Sequence, residues 1–140
     1  MPAPYSGRCL CGGVSLNINA EPAVVLSCFC THCSKGAGGA NQVIAKFPTN
    51  EVQVTGQENL SFYTLDDTSS GSPKEKAFCK TCGSPVWTVP SQARGKFVII
   101  RTAILDSGLE LKPNSDLFVK NRPTWMSPSE GASQWEEMRK

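Results

Sequence analysis

The chain has 140 residues and a formal net charge of +2. That length suits one domain with a real core, and the near-neutral balance gives no electrostatic case for nucleic acid or an anionic membrane surface. The longest apolar runs, such as Phe97-Val98-Ile99-Ile100, are far too short to span a bilayer, and MPAPYSGRCLCGG lacks the apolar core of a signal peptide, so a cytoplasmic, reducing location is expected.

In chain order the pattern is mainly of strands. Val14, Leu16 and Ile18 alternate with Ser15, Asn17 and Asn19, the period of a half-buried strand. Ala23 to Ser27 is a short apolar run. Val43 to Phe47 and Val52 to Val54 predict two more strands, separated by a Pro48-Thr49-Asn50 turn. Leu60 to Leu65, Pro85 to Val89, Lys96 to Ile104 and a short piece at Leu117 to Lys120 complete the set. Trp87, Phe97, Ile99 and Phe118 are expected in the core. Helix is expected to be scarce, with a turn or more at Glu130 to Lys140 docked by Trp135. Lys35-Gly36-Ala37-Gly38-Gly39 and Asp66 to Lys74 read as loops, either lids or plain surface.

All seven cysteines fall in close pairs: Cys9 with Cys11, Cys28 with Cys30 and Cys33, and Cys79 with Cys82. An odd count, no secretory signal and sulfurs two residues apart argue against disulfides. Zinc explains the spacing better, because it takes thiolates tetrahedrally and two cysteines flanking two residues fit one tight turn. Gly83 stands where such a turn needs positive φ, and Phe78 and Pro85 can hold it against a sheet. Structural zinc takes four ligands, and Cys9, Cys11, Cys79 and Cys82 supply four. Cys28, Cys30 and Cys33 then remain as three ligands with one position open, the arrangement of a functional zinc.

Seven thiolates and two zinc ions would move the chain from +2 to −1. A four-thiolate zinc is itself −2, and Arg8, Lys76 and Lys80 lie near those ligands in sequence. His32, the only histidine, has three readings: a fourth ligand closing a Cys3His site, a neighbour outside the ligand set, or a proton carrier beside an open metal. Arg101 alternates against an apolar strand, so it either faces solvent or points to a pocket and binds an anionic group such as a carboxylate. Trp125 could pack over a site or cap the sheet; Tyr63 and Lys46 are weaker candidates for substrate contact.

Taken together, GRCLCGGV at 7–14, CFCTHCS at 28–34, Gly56 with Tyr63, and AFCKTCGSPVW at 77–87 resemble the glutathione-dependent formaldehyde-activating enzyme and centromere protein V family. The resemblance runs from about Gly7 to Trp125, within a single domain over 1–140 whose residues 126–140 form a tail. It implies a mainly β, Mss4-like (β-tent) fold of zinc-bound antiparallel sheets with little helix. It also implies a structural zinc on Cys9, Cys11, Cys79 and Cys82, a functional zinc on Cys28, Cys30 and Cys33, and carbon–sulfur lyase chemistry on glutathione adducts. The sequence departs from the family at Leu10 and Phe29, where histidine is common, at Ser34, where arginine is common, and at Ser115 to Phe118, which lacks a common histidine.

The leading expectation is a zinc-dependent carbon–sulfur lyase, or a related addition and elimination enzyme, acting on a small thiol adduct such as a glutathione conjugate. Cys30 and His32 are its candidate catalytic residues, and Arg101 and Tyr63 its candidate substrate contacts. The alternatives are a zinc Lewis-acid enzyme acting on a specialised carbonyl compound, and a zinc-stabilised binding module with no catalysis.

Overall fold

The computed structural model describes residues 3–68 and 70–139. It is mainly β, as expected, with antiparallel pairing everywhere but at the short strand over Ser115–Leu117, which runs parallel to both its neighbours. The first strands are β1 (Tyr5–Arg8), β2 (Ser15–Ile18), β3 (Val24–Cys28), β4 (Gln42–Pro48) and β5 (Val52–Thr55). There follow β6 (Leu60–Leu65), β7 (Lys74–Cys79), β8 (Pro85–Pro90), β9 (Phe97–Arg101), β10 (Ser115–Leu117) and β11 (Ser133–Gln134). β1, β2 and β5 form one three-stranded sheet, and the other eight form a second in the order β11-β10-β3-β4-β9-β8-β7-β6.

Period-two alternation gives the large sheet two unlike faces. Val25, Ala45 and Ile100 are cross-strand partners on one face, with Phe47 and Val98 beside them, and all five are buried. They pack with Tyr5, Leu16 and Ile18 of the small sheet. The Tyr5 and Phe47 rings meet edge to face with centroids 5.8 Å apart. The opposite face carries Leu26, Ile44 and Arg101 in one row, and Tyr63, Lys76, Thr88, Ile99 and Lys46 in the next. The core therefore lies between the sheets, and the second face is left to build a site.

Backbone segments approach too closely for a side chain at two glycines. A Cβ on Gly7 would lie 2.1 Å from the Ile104 carbonyl oxygen, and one on Gly56 (φ 85°) would lie 1.9 Å from that of Gly13. The first contact joins the small sheet to the segment after β9, and the second lies within the small sheet, at the end of the β2–β5 pairing.

Several expectations need correction. β1 and β7 were not anticipated, because Tyr5–Arg8 and Lys74–Cys79 mix polar and small residues and gain their strand state from pairing. The strand expected over 96–104 ends at Arg101, and Thr102–Ile104 makes a 3-10 turn against Gly7. The strand expected at 117–120 lies earlier, at Ser115–Leu117. Phe118 has φ 55° and starts a 3-10 turn over Val119–Asn121. Among the described residues of 130–140 there is no helix. Trp135 N–H donates to the Asp116 carbonyl and Val119 N–H to that of Trp135, so the tail extends the sheet instead. Its backbone bonds are satisfied by β10, which a lone helical turn could not match. Lys35–Ala37 is not loop but the end of helix α1 (Thr31–Ala37), closed by Gly38 at φ 74°. Trp87, Phe97, Ile99 and Phe118 are half-buried rather than core.

Candidate metal centres and the adjoining cavity

The first thiol cluster joins Cys9 and Cys11, just after β1, to Cys79 and Cys82, at the end of β7 and the turn beyond. Their four sulfurs lie within 4.8 Å of one another. The Cys9–Cys11 and Cys11–Cys79 sulfur separations are each 3.6 Å. Ligands about 2.3 Å from one tetrahedral zinc would stand roughly 3.8 Å apart, so the thiols fit such an ion. Backbone amides face the sulfurs: Val14 N–H donates to Cys9 at 3.3 Å and Gly13 N–H to Cys11 at 3.4 Å. Gly83 has φ 77° and donates to the Cys79 carbonyl at 2.8 Å, as the turn requires. Leu10 N–H donates to Ser84 Oγ, which leaves that hydroxyl's proton for Cys82 Sγ at 3.2 Å. The Ser84 hydroxyl and amide hold the Cys82 thiol down to about 5. Phe78 and Pro85 are cross-strand partners below the turn. Cys9 and Cys79 are buried, so this cluster clamps the ends of two strands from different sheets.

The second cluster is local. Cys28 ends β3, Cys30 caps α1, and Cys33 lies in its first turn, with Cys33 N–H donating to Cys30 Sγ at 3.4 Å. The short helix exists because a thiol stands where serine or aspartate usually starts one. The three sulfurs again lie within 4.8 Å of one another, and no fourth histidine, cysteine or acid joins them among the described residues. Hydrogen bonds from Cys28 and Cys33 hold the Cys30 thiol below its ordinary range, and bonds with Cys28 and Cys30 push Cys33 up. Phe29, between two of the cysteines, is buried with its amide on the Leu117 carbonyl.

His32 does not complete the cluster. Its Nε2 lies 3.0 Å from Asp67 Oδ1, on the loop after β6. A cavity of about 450 Å³ opens beside the three sulfurs, and His32, Asp67 and Arg101 line it. A binding module with both sites sealed would show neither that cavity nor a histidine turned away.

Arg101 ends β9 and is buried. Its Nη2 donates to Thr88 Oγ1 at 2.6 Å and its Nη1 to the Ile99 carbonyl at 3.4 Å, while Nε has no partner. Burial pulls its guanidinium down to about 10, against the opposing influence of the three thiols. The sequence reading missed three lining residues: Lys74, Lys76 and Gln42. Lys76 is near the first cluster in sequence, yet it lies on the other face of β7 and lines the cavity. Burial, then Arg101, pulls the Lys76 ammonium below its usual range. Strand alternation from Cys79, which faces the core, could have shown this. Tyr63 stands across from Lys76 but is 62% exposed and lies outside the cavity lining. Trp125 is 79% exposed and outside the cavity lining, and Lys46 sits over the Phe97 ring.

No helix of the described residues is long and apolar enough to cross a membrane. The comparisons with known proteins agree with one another. A protein of Halomonas elongata, by name a candidate glutathione-dependent formaldehyde-activating enzyme, is 29% identical over 123 residues, spanning 86% of this chain and 78% of its own. An uncharacterised lyase of Schizosaccharomyces pombe is 27% identical over 106 residues, spanning 76% of this chain and 71% of its own. A crystal structure of a Rhodobacter sphaeroides protein shares the fold, with a TM-score of 0.57 at 20% identity over 93% of this chain and 98% of that one. The family model for the glutathione-dependent formaldehyde-activating enzyme matches residues 4–121. With that match over most of its length, the chain belongs to the glutathione-dependent formaldehyde-activating enzyme family.

Proposed function

We propose that this protein is a zinc-dependent carbon–sulfur lyase, or an enzyme of the related addition and elimination chemistry, acting on a small thiol adduct such as a glutathione conjugate. The observation that carries the reading is the three-thiol cluster at the wall of a cavity that also contains a buried arginine. Cys9, Cys11, Cys79 and Cys82 hold a structural zinc, and Cys28, Cys30 and Cys33 hold a second ion. Zinc bound there supplies Lewis acidity and thiolate stabilisation, the chemistry that eases sulfur's departure from carbon and its attack on a carbonyl.

The remaining work falls to the chain's own residues. The cavity admits the substrate sulfur beside Cys28, Cys30 and Cys33. Leu26, Ile44 and Ile99 keep water from the apolar side of the substrate. Arg101 orients an anionic group. His32, with Nε2 held by Asp67, keeps Nδ1 for accepting or returning a proton. The lyase-named relative and the family description support this reaction class.

The test pairs metal analysis with turnover of a panel of glutathione and cysteine adducts. Two zinc ions per chain and turnover of at least one adduct are expected. Full activity in Cys30→Ser protein that has lost its second ion would sink the proposal.

A further inference from the structure

The cavity beside the second cluster is charged in an unbalanced way. Lys74, Lys76 and Arg101 line it, and Asp67 is the one acidic side chain lining it among the described residues. Asp67 is already engaged by His32. Three thiolates around a divalent ion would carry −1, so that centre offsets only one of the three cations. Arg101 has no acidic partner among the described residues, and burying a cation without compensation is costly. A guanidinium has five N–H donors, and only two bonds are made, to Thr88 and Ile99. Gln42, also buried and lining the cavity, leaves Oε1 without a partner. The site thus sets these cations among apolar side chains, Leu26, Ile44, Ile99 and Leu117.

We infer that the substrate is a small carboxylic acid with an apolar body, seated by its carboxylate on Arg101 with Lys76 beside it. This rests on reading the cavity as the thiol-adduct site proposed above, and it narrows what that adduct is. Its acid group takes the place of the missing counter-charge, and its apolar body packs on those apolar side chains. The volume of about 450 Å³ lies in the lower half of the usual range for small-molecule sites, roughly 300–1,000 Å³.

Isothermal titration calorimetry on the full chain tests this with two probes of one shape, 4-methylpentanoate and 4-methylpentanamide. The acid is expected to bind about 10-fold or more tighter than the amide. Arg101→Gln should bring acid and amide level, and Lys76→Met should narrow the gap by less. Equal binding of acid and amide by the unaltered protein overturns the inference. An intact acid preference in folded Arg101→Gln also overturns it, above all if the second metal is lost, since Arg101 would then serve the thiols. Should Arg101→Gln fail to fold, Lys74→Met with Lys76→Met carries the test, and an unchanged preference there is the contrary result. Neither probe contains sulfur, so absent lyase activity alongside a clear acid preference would remove the reaction assignment and leave this inference standing.

Discussion

The Cys9–Cys11–Cys79–Cys82 cluster and the Cys28–Cys30–Cys33 cluster use one side chain and differ in what surrounds it. In the first, four sulfurs come from chain segments about 70 residues apart, and backbone amides and Ser84 fill the space around them. In the second, three sulfurs come from six consecutive residues and face a cavity with cations across it. A metal on the first cluster closes a long loop, so its binding energy is folding energy. A metal on the second closes almost nothing, because β3 and α1 are already adjacent. Ligand number and sequence separation together divide a clamp from a centre with room for chemistry.

That division can be broken most forcefully at the clamp. Cys79→Ser is expected to cost at least about 3–5 kcal/mol and to lower the melting temperature by about 10–20 °C, with loss of the first metal. A melt within a few degrees of the unaltered protein would show that the clamp does not hold the fold. Gly56→Ala tests the same region without touching sulfur. Its Cβ would collide with the Gly13 carbonyl beside Cys11, so a loss of about 3 kcal/mol is expected by denaturant titration.

Cys30→Ser should separate the two clusters. Turnover is expected to fall about 100-fold or more and one metal to be lost, while the melting temperature moves by less than about 3 °C. If the melt falls as far as it does for Cys79→Ser, both clusters are clamps.

Asp67→Asn should have a smaller effect. The pair with His32 is mostly exposed on the Asp67 side, so a stability change under about 0.5 kcal/mol is expected. Turnover should fall about 5-fold if His32 moves the proton. Unchanged turnover across the pH range would leave His32 without that role.

The smallest effect concerns acid. Burial pushes the Asp116 carboxyl up, but Gln134 and the Ser129 amide donate to it and hold it below the ordinary carboxylate range. The folded value is the lower one, so the tail is fully docked above about pH 4 and loosens as pH falls through that lower value. Faster amide exchange at Ser129 and Trp135 in acid, ahead of β4 and β9, is the expected result. Simultaneous exchange throughout would show the tail to be part of the main cooperative unit.

Much of the site was legible because its signals are local. Cys28, Cys30 and Cys33 are close in sequence, and no fold is needed to bring their sulfurs together. The strands at Leu60–Leu65 and Pro85–Pro90 were also readable, since alternation and β-branched or aromatic residues coincide there. The strand at Lys74–Cys79 was not, because its residues take their state from β6 and β8 on either side. The helix at Thr31–Ala37 was hidden for another reason: a cysteine cap and an early glycine look like loop chemistry. The cavity lining was the least readable, since Lys76, Arg101 and Gln42 belong to three strands.

The sequence by itself determined the count of thiols, their division into four and three, and a mainly β chain, because spacing and alternation act over a few residues. Tertiary structure alone decided that His32 turns to Asp67 and that three cations line the cavity beside the open cluster. Those outcomes depend on which strand lies beside which and which face each side chain takes, and pairing across the sheet sets both.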